Sequence, residues 1–561
     1  MSISKHSLNP IESKLALELC QEAVISAESH LQNLKSSTSA LATNGGKIDS
    51  EFLLSNQYAI HGFAWMATYI IALKQFLSWA EKLSSDQRLG ELETLILQCG
   101  FGGYLKQLRH GIAMSQDEFA RPGDLGIEKA EGLYTSTIDQ LINQGDSISV
   151  RSQIAKMLCE NIGTGDFGDL GLNETYNIIR EQFSRFSDDR IAPAAQDWHI
   201  NDELIPLEII EEMSDLGVFG LTLPEEFKGL GMDKVSMCVV TEELSRGYIG
   251  VGSLSTRSEI AAELIRFNGT DEQKERYLAA ISSGKVLPTA VFTEPNYGSD
   301  LAHIRTRAVR NGNSYVITGN KIWITHGARS DLMTLLARTD ADNSGYGGLS
   351  MFLAEKPRGS IENPFPAAGM SGSEIKVLGY RGMKEYEIAF DGFEISKNSL
   401  LGEAEGNGFK QLMSSFETAR IQTAARAVGV AQNALELSLK YANDRSQFGS
   451  SIVNFDRVAG KIGWMAVETM IVRQLTYFAA RQRDADQRCD IEAGMAKLLA
   501  ARVAWSNADN GLQIHGGNGY GEEFVISRLL CDARILNIFE GAAEIQAGII
   551  ARGLLNRPNR P

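Results

Sequence analysis

The spacing of apolar residues changes twice along this chain, and these two changes restrict the folds that it can adopt. Residues 10–142 and 174–283 carry apolar side chains at helical intervals, whereas residues 287–405 contain short alternating segments separated by turn signals. Helical intervals return at about residue 408 and continue to residue 555. Strands and helices do not alternate, so a Rossmann sheet is excluded and any nucleotide cofactor needs another kind of site.

We therefore predict a mostly α protein with a central antiparallel β domain. A stretch rich in glycine, aspartate and asparagine at residues 161–173 predicts the boundary after an N-terminal helical extension. The expected domains are the extension at 1–172, a helical domain at 173–286, the β domain at 287–405 and a C-terminal helical bundle at 406–561. The expected strands are Leu287–Phe292, Tyr315–Thr318, Leu332–Arg338, Ser350–Ala354 and Tyr386–Phe390.

Composition narrows the class of protein. The net charge of −16 argues against a nucleic-acid partner, which needs a clustered basic face. The six cysteines form no C-x-x-C pair and the eight histidines no H-E-x-x-H motif, so we expect reduced thiols and no metal site. The most apolar stretch, Tyr58–Leu73, is shorter than a bilayer span, and the first residues show no apolar signal region. We expect a cytoplasmic protein with no membrane partner.

One carboxylate, Glu540, lies among the apolar neighbours Ile538, Phe539, Gly541 and Ala542, just before a segment with helical spacing. Because desolvation penalises the charged form of a carboxyl group, such a residue binds its proton more tightly and can act as a general base. The alternative is a solvated glutamate at a helix N-terminus, where the helix dipole favours it. The segment alone leaves both interpretations open.

Two segments of the β domain could contact a flat ligand that carries phosphate. Thr293–Asp300 follows a predicted strand and contains a glycine and a serine that could expose backbone N–H groups to phosphate oxygens. Lys321–Gly327 alternates as a strand should and would place Trp323 and Thr325 on one face, toward an aromatic ligand. The alternatives are an ordinary turn and a strand that packs on the core.

Two helical segments add further candidates. Phe416–Arg420 opens a long helix that Arg445–Phe448 closes, and an arginine in either place can pair with phosphate or lie solvated on the surface. Gln513–Tyr520 is a glycine-dense break of the kind that allows a backbone to approach a ligand closely. Each signal is weak or moderate by itself.

In their order and spacing these motifs resemble the acyl-CoA dehydrogenases. They are Thr293-Glu-Pro-x-x-Gly-Ser-Asp300, Lys321-x-Trp-Ile-Thr325, Phe416-x-x-x-Arg420, Arg445-x-Gln-Phe448, Gln513-x-x-Gly-Gly-x-Gly-Tyr520 and Glu540-Gly541. The resemblance covers about residues 174–555. It implies an N-terminal helical domain, a middle β domain and a C-terminal four-helix bundle, with FAD bound at a subunit interface.

The resemblance also assigns roles to individual residues. The implied FAD contacts are Phe292, Thr293, Trp323 and Thr325 along the isoalloxazine ring, Ser299 at the pyrophosphate, and Arg445, Phe448, Gln513, Gly516 and Gly517 toward the FAD of the neighbouring subunit. The implied substrate contacts are Ser299, Glu417, Arg420 and Gly541. A site assembled from two chains implies a homo-oligomer, either a dimer or a dimer of dimers.

Glu540 matches the catalytic base of the family. It is expected to take the α-proton of an acyl-CoA while the β-hydrogen leaves as hydride to flavin N5. The helical position that carries the base in some branches is Ala419 here, which cannot act, and Ala542 replaces the usual threonine after Glu-Gly. An electron-transfer flavoprotein is the implied electron acceptor, and an oxidase using oxygen or a non-catalytic scaffold is the alternative.

The extension and the run Gly369–Glu387 resemble a branch that converts (2S)-methylsuccinyl-CoA to mesaconyl-CoA in the ethylmalonyl-CoA pathway. Such a short, branched dicarboxylic acyl-CoA ends in a carboxylate, which needs a cation or several donors. The arginine used by glutaryl-CoA dehydrogenases would fall near Ile249, so Arg257 is the candidate, with a structural or surface arginine as the alternative. Another short-chain acyl-CoA is the alternative substrate.

Overall fold

The computed structural model describes residues 10–44, 47–127, 130–163 and 167–556. The chain divides into two compact units, one joining Met1–Asn177 to Val430–Pro561 and the other comprising Ile178–Gly429. The start of the chain and residues 164–166 of the predicted boundary lie outside the described ranges.

The predicted extension is helical and belongs to the first unit. Its helices are α1 (Ser13–Ala42), α2 (Ser50–Ser55), α3 (Gln57–Ser85), α4 (Glu91–His110), α5 (Ser136–Gln140) and α6 (Ile148–Glu160), and its short strands are β1 (Thr43–Asn44), β2 (Lys47–Ile48), β3 (Ile112–Ala113) and β4 (Phe119–Ala120). Helix α3 buries side chains on all its faces from Gly62 to Leu73, as expected of a helix enclosed by others.

The second unit begins with helices and continues into a sheet. The helices are α7 (Glu174–Phe186, which crosses the unit boundary), α8 (Ala192–Ile200), α9 (Leu207–Asp215), α10 (Lys234–Gly247), α11 (Ile249–Asn268) and α12 (Asp271–Ser282). The strands are β5 (Pro288–Val291), β6 (Arg307–Asn311), β7 (Ser314–Thr325), β8 (Leu332–Arg338), β9 (Leu349–Glu355), β10 (Met370–Ile375) and β11 (Glu385–Ser396).

The sheet is mixed rather than purely antiparallel. Its order is β10–β11–β7–β6–β8–β5, and β9 also pairs with β8. Most pairs are antiparallel as predicted, but β8 runs parallel to β5 from Pro288↔Leu332 to Val291↔Leu335 and to β6 at Arg307↔Arg338. Parallel neighbours need a long crossover, and here β6 and β7 supply it.

Strand β7 is longer than predicted because a glycine and a bulge let it bend. Gly319 has φ +149, and a Cβ there would lie 2.6 Å from the Thr306 Cα. Further along, the register with β11 shifts between Tyr386 and Ile388, so that β7 bulges before Thr325 pairs with Glu385. This pairing brings the end of β7 against a buried carboxyl group.

The remaining elements complete the first unit. They are α13 (Gly408–Asp444, which leads out of the second unit), β12 (Ser446–Gln447), β13 (Ser450–Ser451), α14 (Asp456–Asp484), α15 (Asp490–His515), α16 (Val525–Ile535) and α17 (Ala543–Asn556). Helix α14 packs against α3, α4 and α6, and α17 packs against α3. The extension therefore shares one core with the C-terminal helices.

A buried polar network joins the extension to these helices. The rings of Tyr69 on α3 and Tyr104 on α4 stack with centroids 4.1 Å apart. Arg502 on α15 donates to the Tyr69 hydroxyl at 2.6 Å and pairs with Glu468 on α14. The Tyr104 hydroxyl donates to the same carboxylate at 3.4 Å.

The described part of the predicted boundary is also held in place. Trp79 Nε1 donates to the Asp169 carbonyl at 2.9 Å, and Gln474 on α14 donates to the Leu170 carbonyl at 3.0 Å. Across the described ranges, no helix has the length and apolar character needed to cross a membrane, and no group of three or more metal-binding side chains is arranged to hold an ion. All six cysteines are free thiols.

Candidate active site

The predicted site residues divide between the two units, and each group is described within its own unit. The second unit holds Arg257, Phe292, Thr293, Ser299, Trp323, Thr325, Glu417 and Arg420. The first unit holds Arg445, Phe448, Gln513, Gly516, Gly517, Glu540 and Gly541.

The bulge of β7 turns Trp323 outward. Its backbone has φ +61 and its indole is 56% exposed, whereas Thr325 is buried. The two side chains differ in exposure, and Trp323 lies in the bulge, where a left-handed residue interrupts the alternation of the strand. An exposed indole on a strained backbone offers a flat surface to a ring-shaped ligand.

A buried ion pair anchors the loop after β5. The fully buried Lys321 ammonium donates to the Phe292 carbonyl at 2.7 Å and to Glu294 Oε1 at 3.2 Å. Glu294 also accepts from the backbone N–H groups of Arg305 at 2.7 Å and Thr306 at 2.8 Å. Burial lowers the pKa of Lys321 to about 8, although the Glu294 charge opposes this shift.

Beyond this anchor the loop is open. The half-buried Thr293 donates its hydroxyl proton to the Ile322 carbonyl at 2.5 Å, which ties the loop to β7. Gly298 and Ser299 are exposed, and a Cβ placed on Gly298 would meet no atom within 4 Å. A glycine and a serine in open space at a fixed turn suit phosphate binding by backbone N–H groups.

Thr325 makes a hydrogen bond that the sequence did not reveal. Its Oγ1 lies 2.8 Å from Oε1 of Glu385, its partner in the register of β7 and β11. Burial raises the pKa of Glu385 to about 7, and the Thr325 hydrogen bond and the Arg257 charge act in the opposite direction.

Arg257 on α11 is buried, which excludes the surface alternative, and it lies in a polar region of the second unit. The Ser253 hydroxyl, one turn earlier, hydrogen-bonds with the Tyr380 hydroxyl and accepts from Arg426 Nη1 at 3.0 Å. The charges of Arg257 and Arg426 both favour the ionised form of Tyr380, but burial outweighs them and raises its pKa. Hydrogen bonds link Arg426, Ser253 and Tyr380, and the Arg257 charge acts on the same tyrosine, so these groups form a donor set suited to a carboxylate.

Helix α13 carries the other substrate candidates. The Arg420 guanidinium lies 5.7 Å from the centre of the Phe416 ring, and Arg420 is buried while Glu417 is half-buried. Ala419 packs in a hydrophobic cluster that includes Leu412. The alternative base position therefore carries an apolar contact and no titratable group.

In the first unit, Phe448 forms the tip of the β12–β13 hairpin. Phe448 has φ +55 and Gly449 has φ +80, the pattern of a two-residue turn with both central residues left-handed. The Phe448 ring is 96% exposed, and Arg445 at the base of the hairpin is exposed as well. A bulky side chain in this conformation costs free energy. Within its own unit the Phe448 ring makes an edge contact with Phe455, with ring centroids 6.2 Å apart.

The glycine-dense break after α15 is also open. Gly516 has φ +59 and ψ −135, a conformation suited to glycine, and its N–H donates to the Gln513 carbonyl. A Cβ on Gly516 or Gly517 would meet no atom within 4 Å. The residue before the break fixes its start, because His515 is buried and stacks on Tyr441 with ring centroids 4.2 Å apart.

Glu540 lies in a tight turn between α16 and α17. Glu540 has φ +53 and Gly541 has φ +93, and the Glu540 side chain is half-buried. The buried Lys497 on α15 donates to the Gly541 carbonyl at 2.6 Å, and Gln546 on α17 donates to the Glu540 carbonyl at 3.4 Å. Side chains of α15 and α17 therefore hold the turn through hydrogen bonds to its two carbonyl groups. The half-buried Ala542 has no hydroxyl that could contact the cofactor.

Three family models match consecutive parts of the chain, and the chain belongs to the acyl-CoA dehydrogenases. The N-terminal domain of that family matches residues 173–285, the middle domain residues 289–393 and the C-terminal domain residues 406–555. The fold class and enzyme class expected from the motifs are confirmed.

Individual relatives extend this finding. A (2S)-methylsuccinyl-CoA dehydrogenase of Cereibacter sphaeroides is 58% identical over 96% of this chain and 98% of its own length. The butyryl-CoA dehydrogenase structure of Megasphaera elsdenii has a TM-score of 0.64 and 29% identity, covering 68% of this chain and 99% of its own. A structure of the electron transferring flavoprotein of Acidaminococcus fermentans includes a chain with a TM-score of 0.65 and 32% identity, covering 69% and 99% respectively.

Acyl-CoA dehydrogenases are FAD-dependent, and the described residues fit this cofactor. The exposed Trp323 indole offers a flat surface, and the open positions Gly298, Gly516 and Gly517 leave room for close backbone contact. The exposed Phe448 and Arg445 suit a ring and a phosphate group. When bound, FAD supplies an acceptor for hydride.

Sequence reasoning missed Glu385, Tyr380, Ser253 and Arg426. Their positions depend on the pairing of β7 with β11 and on the packing of α11 near the turn before β11. The sequence carried no signal for the burial of Glu385, because by strand alternation it shares a face of β11 with the exposed Glu387 and Asp391.

Proposed function

We propose that this chain oxidises (2S)-methylsuccinyl-CoA to mesaconyl-CoA by removing hydrogen from Cα and Cβ. The observation that carries the proposal is the 58% identity to the methylsuccinyl-CoA enzyme over 96% of the chain. Further relatives, such as an acyl-CoA dehydrogenase of Bacillus subtilis, cover 67% of the chain. The helical extension is therefore common to this chain and the methylsuccinyl-CoA relative, and the reaction belongs to the ethylmalonyl-CoA pathway.

In this proposal Glu540 is the catalytic base that takes the α-proton. The α-hydrogen of a thioester is weakly acidic, so the base must be held at a fixed point while charge develops on the carbonyl oxygen. The bonds from Lys497 and Gln546 to the Glu540–Gly541 turn supply such rigidity. Gly541, the residue after Glu540, is assigned to substrate binding.

The distal carboxylate of the substrate is assigned to Arg257. Its burial means that an anion there meets a poorly solvated cation, and Arg426, Ser253 and Tyr380 provide additional charge and donors. Charge-assisted hydrogen bonds of this kind are stronger than neutral ones. Glu417 and Arg420 on α13 are assigned to the CoA–thioester end.

FAD binding is assigned to residues of both units. Phe292, Thr293, Ser299, Trp323 and Thr325 are the proposed contacts of one subunit, and Arg445, Phe448, Gln513, Gly516 and Gly517 are the proposed contacts to the FAD of a neighbour. The high exposure of Phe448 supports a contact outside its own subunit. We accordingly propose a homo-oligomer, either a dimer or a dimer of dimers.

We further propose the cytoplasm as the compartment and an electron-transfer flavoprotein as the electron acceptor. The six free thiols suit a reducing compartment. The similarity to a chain in the electron transferring flavoprotein structure supports the acceptor. An oxidase would instead release peroxide during turnover in air.

The test is anaerobic reduction of the purified flavoprotein by acyl-CoAs. Methylsuccinyl-CoA should bleach the flavin absorbance much faster than butyryl-CoA or isobutyryl-CoA. A preference for either monocarboxylic substrate would contradict the assigned substrate, and a colourless protein would contradict the flavoenzyme. Turnover in air without peroxide, together with reduction of an electron-transfer flavoprotein, is the expected result for the acceptor.

A further inference from the structure

Thr325 and Glu385 form a side-chain pair at the end of β7. Their residues are directly opposite in the β7–β11 register, and the hydroxyl and carboxyl oxygens are 2.8 Å apart. The Thr325 carbonyl also accepts from the Thr289 hydroxyl at 2.6 Å, which fixes the backbone at this point. Glu385 Oε2 has no hydrogen-bond partner among the described residues, so the Thr325 hydroxyl is the polar contact of this buried side chain.

Four titratable groups near the pair, Arg257, His326, Tyr380 and Tyr386, each keep one charge state at neutral pH. Arg257 on α11 is a guanidinium and stays charged. Burial lowers the pKa of His326, at the end of β7, to about 3 and raises that of Tyr386 on β11 to about 12. Tyr380, before β11, also has a raised pKa. Glu385, whose pKa burial raises to about 7, differs from these four groups because it changes charge near neutrality.

We propose that Glu385 is a positioning residue for the flavin, because it sets through the Thr325 hydroxyl whether the isoalloxazine ring meets a hydrogen-bond donor or an acceptor. This inference rests on the proposed function, in which Thr325 lies along that ring.

The pair can adopt two arrangements that differ by one proton. An ionised Glu385 accepts the Thr325 proton, so the lone pairs of the hydroxyl oxygen face the ligand. A protonated Glu385 can donate its own proton to Thr325 Oγ1, which frees the threonine proton for an acceptor on the ring. The proton is taken from or released to solvent, so one O–H bond of the Glu385 carboxyl group forms or breaks and the two hydrogen bonds rearrange with it. Hydrogen bonds to a flavin ring alter its electronic properties.

The test is a pH titration of the visible absorption spectrum of the oxidised holoenzyme, without substrate. Lys321 on β7, whose pKa burial lowers to about 8, can add a separate change at higher pH. The wild-type spectrum should show a change with a midpoint near pH 7, the value to which burial raises the pKa of Glu385. Glu385→Gln should abolish this change, because the amide does not titrate. Thr325→Val should also abolish it, because the carboxyl group then has no hydroxyl through which to act. A wild-type spectrum that is constant from pH 5.5 to 8.5, a range of about 1.5 units on each side of the expected midpoint, would overturn the inference.

A matched control lies on the same strand. Glu387 Oε1 accepts from the exposed Ser373 hydroxyl at 2.7 Å, so it repeats the hydroxyl–carboxyl pair at the surface. Glu387→Gln should leave the spectral titration unchanged, and a change near pH 7 that survives in Thr325→Val would overturn the inference. Anaerobic bleaching by methylsuccinyl-CoA separates the two proposals. Bleaching without a spectral titration rejects the role of Glu385 alone, whereas a protein without bound FAD or bleaching rejects the proposed function.

Discussion

At the scale of single residues, three of the assigned side chains are held in backbone conformations that they do not favour. Trp323, Phe448 and Glu540 have φ values of +61, +55 and +53. A left-handed conformation costs a bulky or charged residue about 1–3 kcal/mol, which the surrounding structure must offset. Such strain concentrates where a side chain must face a ligand, and it supports the assignment of these residues to the site.

The residue whose change should alter substrate choice most is Arg257. We expect Arg257→Gln to raise the KM for methylsuccinyl-CoA by roughly 30-fold or more, because losing one partner of a buried charge pair costs about 2–5 kcal/mol. The KM for butyryl-CoA, which has no distal carboxylate, should change little. Steady-state kinetics with both substrates measure this contrast.

Arg266→Gln is the matched control for that experiment. Arg266 lies on the same helix, is exposed, and stacks on Phe267 at 5.2 Å. The Arg266→Gln variant should leave the KM values for methylsuccinyl-CoA and butyryl-CoA unchanged. An equal loss for both substrates in Arg257→Gln would show that Arg257 supports the fold and does not recognise the carboxylate.

At the scale of elements, the exposed hairpin β12–β13 gives the most direct test of a shared cofactor site. Phe448→Ala should weaken FAD retention by roughly three- to tenfold, because an aromatic stacking contact contributes about 0.5–1.5 kcal/mol. The unfolding of the apoprotein should be unaffected, since the ring is 96% exposed. Equilibrium dialysis of FAD measures the first effect and urea denaturation the second.

Ile361→Ala serves as the comparison, since Ile361 is also highly exposed, at 87%, but belongs to no assigned motif. FAD retention that is equal in the two variants would remove Phe448 from the cofactor site.

The order of the motifs identified most of the assigned residues. The burial and the hydrogen-bond partners of these residues could be determined only from the fold. The alternating patterns predicted β8 at Leu332–Arg338 with its observed bounds. They could not predict the bulge at Trp323 or the parallel pairing of β5 with β8, because both depend on contacts distant in sequence. Glu385 illustrates the limit, since its burial follows from its pairing with Thr325 and not from its neighbours along the chain.

At the scale of the whole chain, the extension beyond the family models is packed into the first unit and is not a loose appendage. Gly103 on α4 and Trp464 on α14 are in close contact, since a Cβ on Gly103 would lie 2.3 Å from the indole Cη2. The Tyr69–Arg502–Glu468 network closes the same interface with polar groups. Because this interface is buried, the C-terminal helices and the extension stabilise each other.

Gly103→Ala should therefore destabilise this unit by about 1–3 kcal/mol, because an inserted methyl group overpacks a rigid ring. Limited proteolysis should then release the extension faster than from the wild type, and urea denaturation gives the free energy of unfolding. Gly123→Ala is the control, because a Cβ there would meet no atom within 4 Å. Equal stability of the two variants would contradict the tight packing of α4 on α14.

We propose that Glu540 removes the α-proton, and stopped-flow reduction of the flavin measures the step in which this proton leaves. Anaerobic mixing of the Glu540→Gln holoenzyme with methylsuccinyl-CoA should show substrate binding but bleaching at least roughly 100-fold slower than the wild type, because a general base contributes about 10²–10⁴ in rate. Glu544→Gln, an exposed position on the first turn of α17, should bleach at the wild-type rate. Rapid bleaching in Glu540→Gln would show that another group takes the proton and would contradict the account.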